Sequence, residues 1–131
     1  MKVLALDFGR ARTGVAVSDP TGTIARPVGV VERAGTERGL AELVDLIRKH
    51  EVERVVVGLP LTLRGERGEQ AREAEAFMKT LAGATGVPVV PFDERFTTDL
   101  AEQMAAATAD EDARAAAHLL SSYLVWASAR A

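Results

Sequence analysis

The feature that most constrains the fold is a strand-like apolar run near the N-terminus that ends in an aspartate. Residues 2–8 read KVLALDF, with four consecutive apolar residues before Asp7. A run without alternation is typical of a central strand covered on both faces. An unpaired carboxylate is unfavourable there, so Asp7 needs a cation, a set of hydrogen-bond donors or an exposed strand end. In open α/β sheets such strand ends commonly border ligand-binding crevices.

Hydrophobic periodicity predicts five strands and four helices along the chain. Apolar or β-branched runs bounded by turn residues indicate the strands, and apolar residues spaced at i, i+3, i+4 and i+7 indicate the helices. Pro27 lies inside the third strand, which is typical of a sheet edge. In order, the predicted elements are strands at 2–8, 13–18 and 24–32, a helix at 36–50, a strand at 54–58, a helix carrying Ala74, Phe77, Met78 and Leu81, a strand at 87–92, a third helix capped by Thr97 or Thr98, and a final helix at 112–129 with the apolar stripe Ala116, Leu119, Leu120 and Tyr123.

This element order, β-β-β-α-β-α-β-α-α, predicts an α/β fold. Three strands arrive by hairpins and the last two by helical crossovers, so we expect a mixed five-stranded sheet flanked by helices. A length of 131 residues with 47% hydrophobic residues suits one compact domain over residues 1–131.

Composition excludes several classes of site. Cysteine is absent, which removes disulfides, thiolate metal sites and cysteine nucleophiles. We find neither a signal peptide nor a membrane-spanning run of ~20 apolar residues, and we therefore expect a cytoplasmic protein without a membrane partner. The net charge of −3 argues against nonspecific coating of nucleic acid. It does not exclude a nuclease, because bound divalent cations would offset acidic charge at the site.

Three carboxylates are candidates for chemistry, and each has a structural alternative. Asp7 could simply organise the turn that follows it. Glu94 follows the fifth strand, but one of Asp93 and Glu94 could cap a helix while the other pairs with Arg95; adjacent side chains diverge, so both cannot point inward. Asp112 opens the last helix, where an aspartate is ordinary capping chemistry. If the three converged, they would suit Mg²⁺ or Mn²⁺, since hard cations prefer oxygen ligands.

Three blocks of sequence resemble the YqgF family, also called RuvX-like. They are LALDFGRARTGVAVSD at residues 4–19, VVGLPL at residues 56–61 followed by a glycine-containing loop, and FDERFTT at residues 92–98, which is similar to the family's DERLTT. The blocks occur in the family's order and spacing and extend over nearly the whole chain.

The resemblance implies an RNase H-like fold and a metal-dependent nuclease that matures the 5′ end of pre-16S ribosomal RNA. It also implies an older assignment to Holliday junctions, the four-way DNA junctions. The family's catalytic, metal-binding carboxylates would correspond to Asp7, Glu94 and Asp112. The family reads VDxxAA at the last of these and this chain reads EDARAA at residues 111–116, so the aspartate matches and the valine does not. Asp110 competes with Asp112 if the helix begins earlier.

The resemblance implies that arginines in loops and at strand ends supply more of the substrate contact in this chain than in its relatives. Relatives often carry a basic loop before the last aspartate, whereas residues 105–111 here read AAATADE, which is short and acidic. We therefore expect phosphate contacts from Arg10, Arg12, Arg64, Arg67 and Arg95.

Three other functions remain open from the sequence. The first is a junction resolvase acting as a homodimer, since two symmetric cuts require two sites. The second is a non-catalytic RNA-binding factor for ribosome assembly. The third starts from the hairpin after Asp7, which also resembles the phosphate motif of actin-like ATPases and sugar kinases; 131 residues are too few for the second domain that those folds need.

Overall fold

A computed structural model describes residues 1–62, 64–97 and 111–130. The elements in this part of the chain are β1 (Val3–Asp7), β2 (Arg12–Ser18), β3 (Ala25–Glu32), α1 (Glu37–Lys49), β4 (Arg54–Leu59), α2 (Glu69–Ala84), β5 (Val89–Asp93), a short 3₁₀ helix (Glu94–Phe96) and α3 (Glu111–Ser128). The third helix expected after Thr97 or Thr98 falls outside the described residues, as does Asp110.

The five strands form one mixed sheet in the order β3-β2-β1-β4-β5. β1 and β3 pair antiparallel with β2, while β1 pairs parallel with β4 and β4 pairs parallel with β5. This topology confirms the predicted sheet and places β1 at its centre. It also places β3, with Pro27, at the edge, as expected for a residue that lacks the N–H needed by a central strand.

Each face of the sheet packs against its own helices. Leu4 and Leu6 of β1 belong to a core layer that includes Leu43 of α1 and Phe77 of α2. Val3 and Ala5, which point to the other face, belong to a layer with α3. The predicted stripe of α3 is fully buried there: Ala116, Leu119, Leu120 and Tyr123. Because side chains alternate along a strand, Asp7 lies on the α3 face.

The first and last helices, α1 and α3, begin and end close to their predicted limits. Thr36 caps α1 by accepting a hydrogen bond from the Gly39 backbone N–H at 3.2 Å, and His50 follows its last turn. Ala74, Phe77 and Leu81 of α2 are buried as predicted. No helix among residues 1–62, 64–97 and 111–130 is long and apolar enough to cross a membrane.

Candidate active site

Asp7 ends the central strand between two glycines on the neighbouring strands. It pairs with Gly14 of β2. On its other side Leu6 pairs with Val57 of β4, so Gly58 is the next residue along that strand. The alternation of the strands turns all three residues towards α3. The sheet therefore carries no side chain on either side of the Asp7 carboxylate at this level.

The space left by these glycines is filled by the other two candidate carboxylate residues. A Cβ atom on Gly14 would overlap the backbone oxygen of Asp112 far inside van der Waals contact. A Cβ atom on Gly58 would come 3.2 Å from Glu94 Cδ and 3.0 Å from Leu119 Cδ2. Gly14 and Gly58 thus let Asp112 and Glu94 approach Asp7. Sequence reasoning did not assign them this role, although strand alternation around Asp7 was a usable signal.

Glu94 is left to face Asp7 because the residues on either side of it in the chain, Asp93 and Arg95, bind each other. The Asp93 carboxylate accepts a hydrogen bond from the Arg95 backbone N–H at 2.9 Å, which caps the 3₁₀ helix. The same carboxylate binds the Arg95 guanidinium, with Nη2 at 2.6 Å. Asp93 therefore both caps the helix and pairs with Arg95, the two structural roles considered for Asp93 and Glu94. Glu94 is needed for neither of them.

The Asp7 and Glu94 carboxylates are half-buried and repel each other. Burial, together with the charges of Asp7 and Asp93, raises the pKa of Glu94 to about 7. Burial also raises the pKa of Asp7, with a further contribution from the charge of Asp112. In the described part of the chain, neither carboxylate accepts a hydrogen bond or forms an ion pair. This donor set suits a hard divalent cation, which takes one or two protein carboxylates plus phosphate and water.

Asp112 lies beside Asp7 but is bound to an arginine. The Arg12 guanidinium on β2 forms an ion pair with the Asp112 carboxylate, with Nε 3.0 Å from Oδ2. Among the described residues, no three acidic or histidine side chains form a cluster that could hold one metal ion. The structure thus brings Asp7 and Glu94 together as a pair of potential ligands, and it places Asp112 at their side.

A cleft of about 470 Å³ opens at this end of the sheet. Asp7 and Glu94 form part of its wall. The remaining lining comes from the hairpin after β1, the loop after β4 and the first turns of α2: Phe8, Gly9, Arg10, Pro60, Glu69, Gln70 and Glu73. Such a crevice at the carboxyl ends of parallel strands is where α/β folds commonly bind ligands.

Four of the five arginines expected to contact phosphate form ion pairs with carboxylates. Arg10 pairs with Glu69 and Glu73, Arg12 with Asp112, Arg67 with Glu75 and Arg95 with Asp93. Arg64 is exposed in the loop after β4. Of the five, Arg10 belongs to the wall of the cleft. Any phosphate contact by the other paired arginines would therefore compete with an existing carboxylate partner.

Comparison with known proteins identifies the family. The RuvX family, described as Holliday junction resolvase, matches residues 1–125. The chain belongs to the RuvX family. A protein of Chloroflexus aurantiacus named "Putative pre-16S rRNA nuclease" is 50% identical over 102 residues, covering 78% of this chain and 67% of that protein. A protein of Anaeromyxobacter sp. with the same name is 49% identical over 102 residues, covering 78% of this chain and 74% of its own length.

The RuvX chain also shares its fold with a resolvase of known structure. Thermus thermophilus RuvC, solved in complex with a Holliday junction substrate, superposes with a TM-score of 0.71 at 18% identity, covering 98% of this chain and 96% of RuvC. A second structure of Thermus thermophilus RuvC gives a TM-score of 0.70. At this identity the match concerns the fold alone, and it confirms the RNase H-like architecture.

The raised pKa of Glu94 predicts how the stability of this RuvX chain depends on pH without metal. The folded-state pKa lies near 7, against an ordinary value of 4.5. The folded protein therefore holds this proton more tightly, and the stabilisation that protonation provides is lost as pH rises from about 4.5 to about 7. We expect Tm, measured in EDTA, to fall less between pH 5 and pH 8 in Glu94→Gln than in the wild type. Parallel Tm curves for the two proteins would contradict this assignment.

Proposed function

We propose that this protein is a nuclease that hydrolyses phosphodiester bonds in the cleft beside Asp7. The observation that supports this most directly is the convergence of Asp7 and Glu94, two half-buried carboxylates without partners among the described residues. A buried pair of like charges is unfavourable unless a cation joins it. A cleft at the same place provides access for a nucleic-acid strand. Membership of the RuvX family supports the same activity.

Asp7 and Glu94 would hold Mg²⁺ or Mn²⁺, with Asp112 joining them once it exchanges Arg12 for the metal. When bound, the ion supplies an activated water nucleophile and stabilises the leaving oxygen. In this proposal there are two such ions: Asp7, at the centre, would be a ligand of both, and Glu94 and Asp112 would complete the two ligand sets. Arg10 contacts a substrate phosphate from the cleft wall, and Arg12 and Arg95 contribute further contacts.

The substrate that we propose is precursor 16S ribosomal RNA, processed at its 5′ end. This choice rests on the names of the curated relatives at up to 50% identity. A substrate of that kind implies a cytoplasmic enzyme, and we propose that residues 1–131 carry the activity as one domain. Four-way DNA is the alternative, supported by the description of the family. Symmetric cutting of a junction would require a homodimer.

A side-by-side cleavage assay tests the proposal. The substrates are structured precursor RNA, single-stranded RNA, single-stranded DNA and four-way DNA, each with Mg²⁺, Mn²⁺ or EDTA. We expect cleavage of RNA with a divalent ion and none in EDTA. Cleavage of junction DNA in preference to RNA, together with a dimer mass in solution, would favour the alternative substrate. Binding without cleavage of every substrate at millimolar metal would contradict the nuclease and favour a non-catalytic RNA-binding factor.

A further inference from the structure

Arg10 is held at the cleft by two glutamates from a different element. Its Nε donates to both carboxylate oxygens of Glu73, at 3.0 and 2.9 Å. Its Nη2 donates to Glu73 as well, and to Glu69 at 3.1 Å. Arg10 belongs to the hairpin after β1, whereas both glutamates belong to the start of α2. We call Glu69 and Glu73 the acidic clamp; it joins two walls of the cleft that also contains Asp7 and Glu94.

The acidic clamp uses the donors that Arg10 would need for a phosphate. A guanidinium carries one N–H on Nε and two on each terminal nitrogen. Bidentate contact with a phosphate requires two parallel N–H groups on one edge of the plane. Two edges of the guanidinium offer such a pair, one formed by Nε and Nη2 and the other by Nη1 and Nη2. Both edges need Nη2, which already donates to Glu73 and Glu69. Nη1 remains for a single, weaker contact.

The contacts indicate a real but displaceable interaction. The hydrogen bonds and charge of Glu73 raise the pKa of Arg10, and Arg10 lowers the pKa of Glu73, so both groups are charged at neutral pH. The Arg10 side chain is 73% exposed and that of Glu69 is 81% exposed, whereas Glu73 is 29% exposed. Exposed pairs of this kind shift equilibria by about 2- to 5-fold. A phosphodiester, whose single negative charge is shared between two non-bridging oxygens, can therefore replace the glutamates as the partner of Arg10.

We propose that the acidic clamp is a specificity element: Glu73, assisted by Glu69, occupies the hydrogen-bond donors of Arg10 in the cleft wall until a nucleic-acid phosphate displaces the two glutamates. The proposal rests on the proposed function, since it presumes that the cleft receives a phosphodiester chain. Ligands that present no phosphate to Arg10 leave the clamp closed. The clamp weakens nonspecific binding to this acidic protein and makes Arg10 available at the position where a phosphate enters.

The test is a binding cycle on four full-length proteins: the wild type, Glu73→Gln, Arg10→Gln and the double variant. The probe is a fluorescent single-stranded 12-mer RNA, followed by anisotropy in EDTA at several salt concentrations, so no cleavage is needed. We expect Glu73→Gln to bind about 2- to 5-fold more tightly than the wild type. If the freed Arg10 guanidinium neutralises one more phosphate, the slope of the log association constant against log salt concentration should also become steeper by about 0.7.

The Arg10→Gln background separates release of Arg10 from simple removal of negative charge. There, Glu73→Gln should produce less than half of its gain, because no arginine is left to release. An equal gain in both backgrounds, or unchanged or weaker binding by Glu73→Gln, would overturn the clamp and leave the nuclease proposal intact. If the wild type does not bind the 12-mer at any of the salt concentrations, the clamp is overturned, and the cleavage assay with divalent metal decides the nuclease proposal separately. Glu69→Gln, at a more exposed position, should give a smaller gain in RNA affinity in the same direction. This variant still tests the clamp if Glu73→Gln does not fold.

Discussion

Asp7→Asn is expected to reduce the cleavage rate by at least about 100-fold while leaving the protein folded. Loss of a group that only supports a metal ligand typically costs 10- to 100-fold in affinity or activity, and Asp7 is proposed to be a ligand itself. An amide has the shape of a carboxylate, but it carries no charge and offers one acceptor oxygen in place of two. The measurement is the single-turnover cleavage rate of precursor RNA with Mg²⁺ or Mn²⁺ in excess.

The same substitution should not destabilise the metal-free protein. Burial and the charge of Asp112 both raise the pKa of Asp7, so the ionised carboxylate is unfavourable in the folded state. Neutralising it is expected to keep Tm at or above the wild-type value in EDTA and to reduce the increase in Tm caused by Mg²⁺. Asp45→Asn, on the exposed side of α1, makes the same chemical change away from the cleft and should alter neither activity nor the Mg²⁺ response. Wild-type cleavage by folded Asp7→Asn would show that the catalytic assignment is wrong.

Gly14→Ala is expected to lower the free energy of unfolding by about 3 kcal/mol or more. The added Cβ atom would overlap the backbone oxygen of Asp112. Backbone at the start of a helix cannot rotate aside as a flexible side chain can, so α3 has to move away from β2. That movement would also displace Asp112 from Asp7 and Arg12. Urea denaturation of the wild type and the variant measures the effect, with cleavage as a second readout.

Gly83→Ala is the matched control for this steric argument. A Cβ atom there meets nothing within 4 Å, and Gly83 lies in the last turn of α2. Glycine in a helix is less favourable than alanine by up to about 1 kcal/mol. We therefore expect Gly83→Ala to be neutral or slightly stabilising. If Gly14→Ala were equally well tolerated, the close approach of α3 to β2 would not be what positions Asp112.

Local patterns were sufficient for most elements of the fold. The apolar run before Asp7 predicted a central strand, and β1 has two neighbours in the sheet. Thr36 and His50 bounded α1 because capping depends on residues a few positions apart. The position of Pro27 predicted the edge strand for a reason that is also local, namely the missing N–H. The helix expected after Thr97 falls outside the described residues and stays a prediction.

The candidate site was predictable residue by residue but not as an arrangement. Asp7 was conspicuous because a carboxylate after a buried strand needs an explanation, whereas Asp112 depended on the family resemblance. Arg10 and Arg12 were predicted to contact phosphate because they are basic, lie in loops or at strand ends, and the segment before Asp112 is acidic. Their carboxylate partners, Glu73 and Asp112, are 63 and 100 positions away along the chain. No periodic pattern in the sequence predicts either of these ion pairs.

By itself, the sequence determined the order of the elements, the central strand and the acidic residue at its end, because these depend on hydrophobic spacing and on the properties of single side chains. Only the tertiary structure decided that Gly14 and Gly58 make room around Asp7, that Glu94 lies beside Asp7, and that Arg12 binds Asp112. The physical reason is that strand register and helix packing bring together atoms from distant parts of the chain. The Asp7–Glu94 pair acquires its raised pKa values from that proximity and burial, which no local stretch of sequence contains.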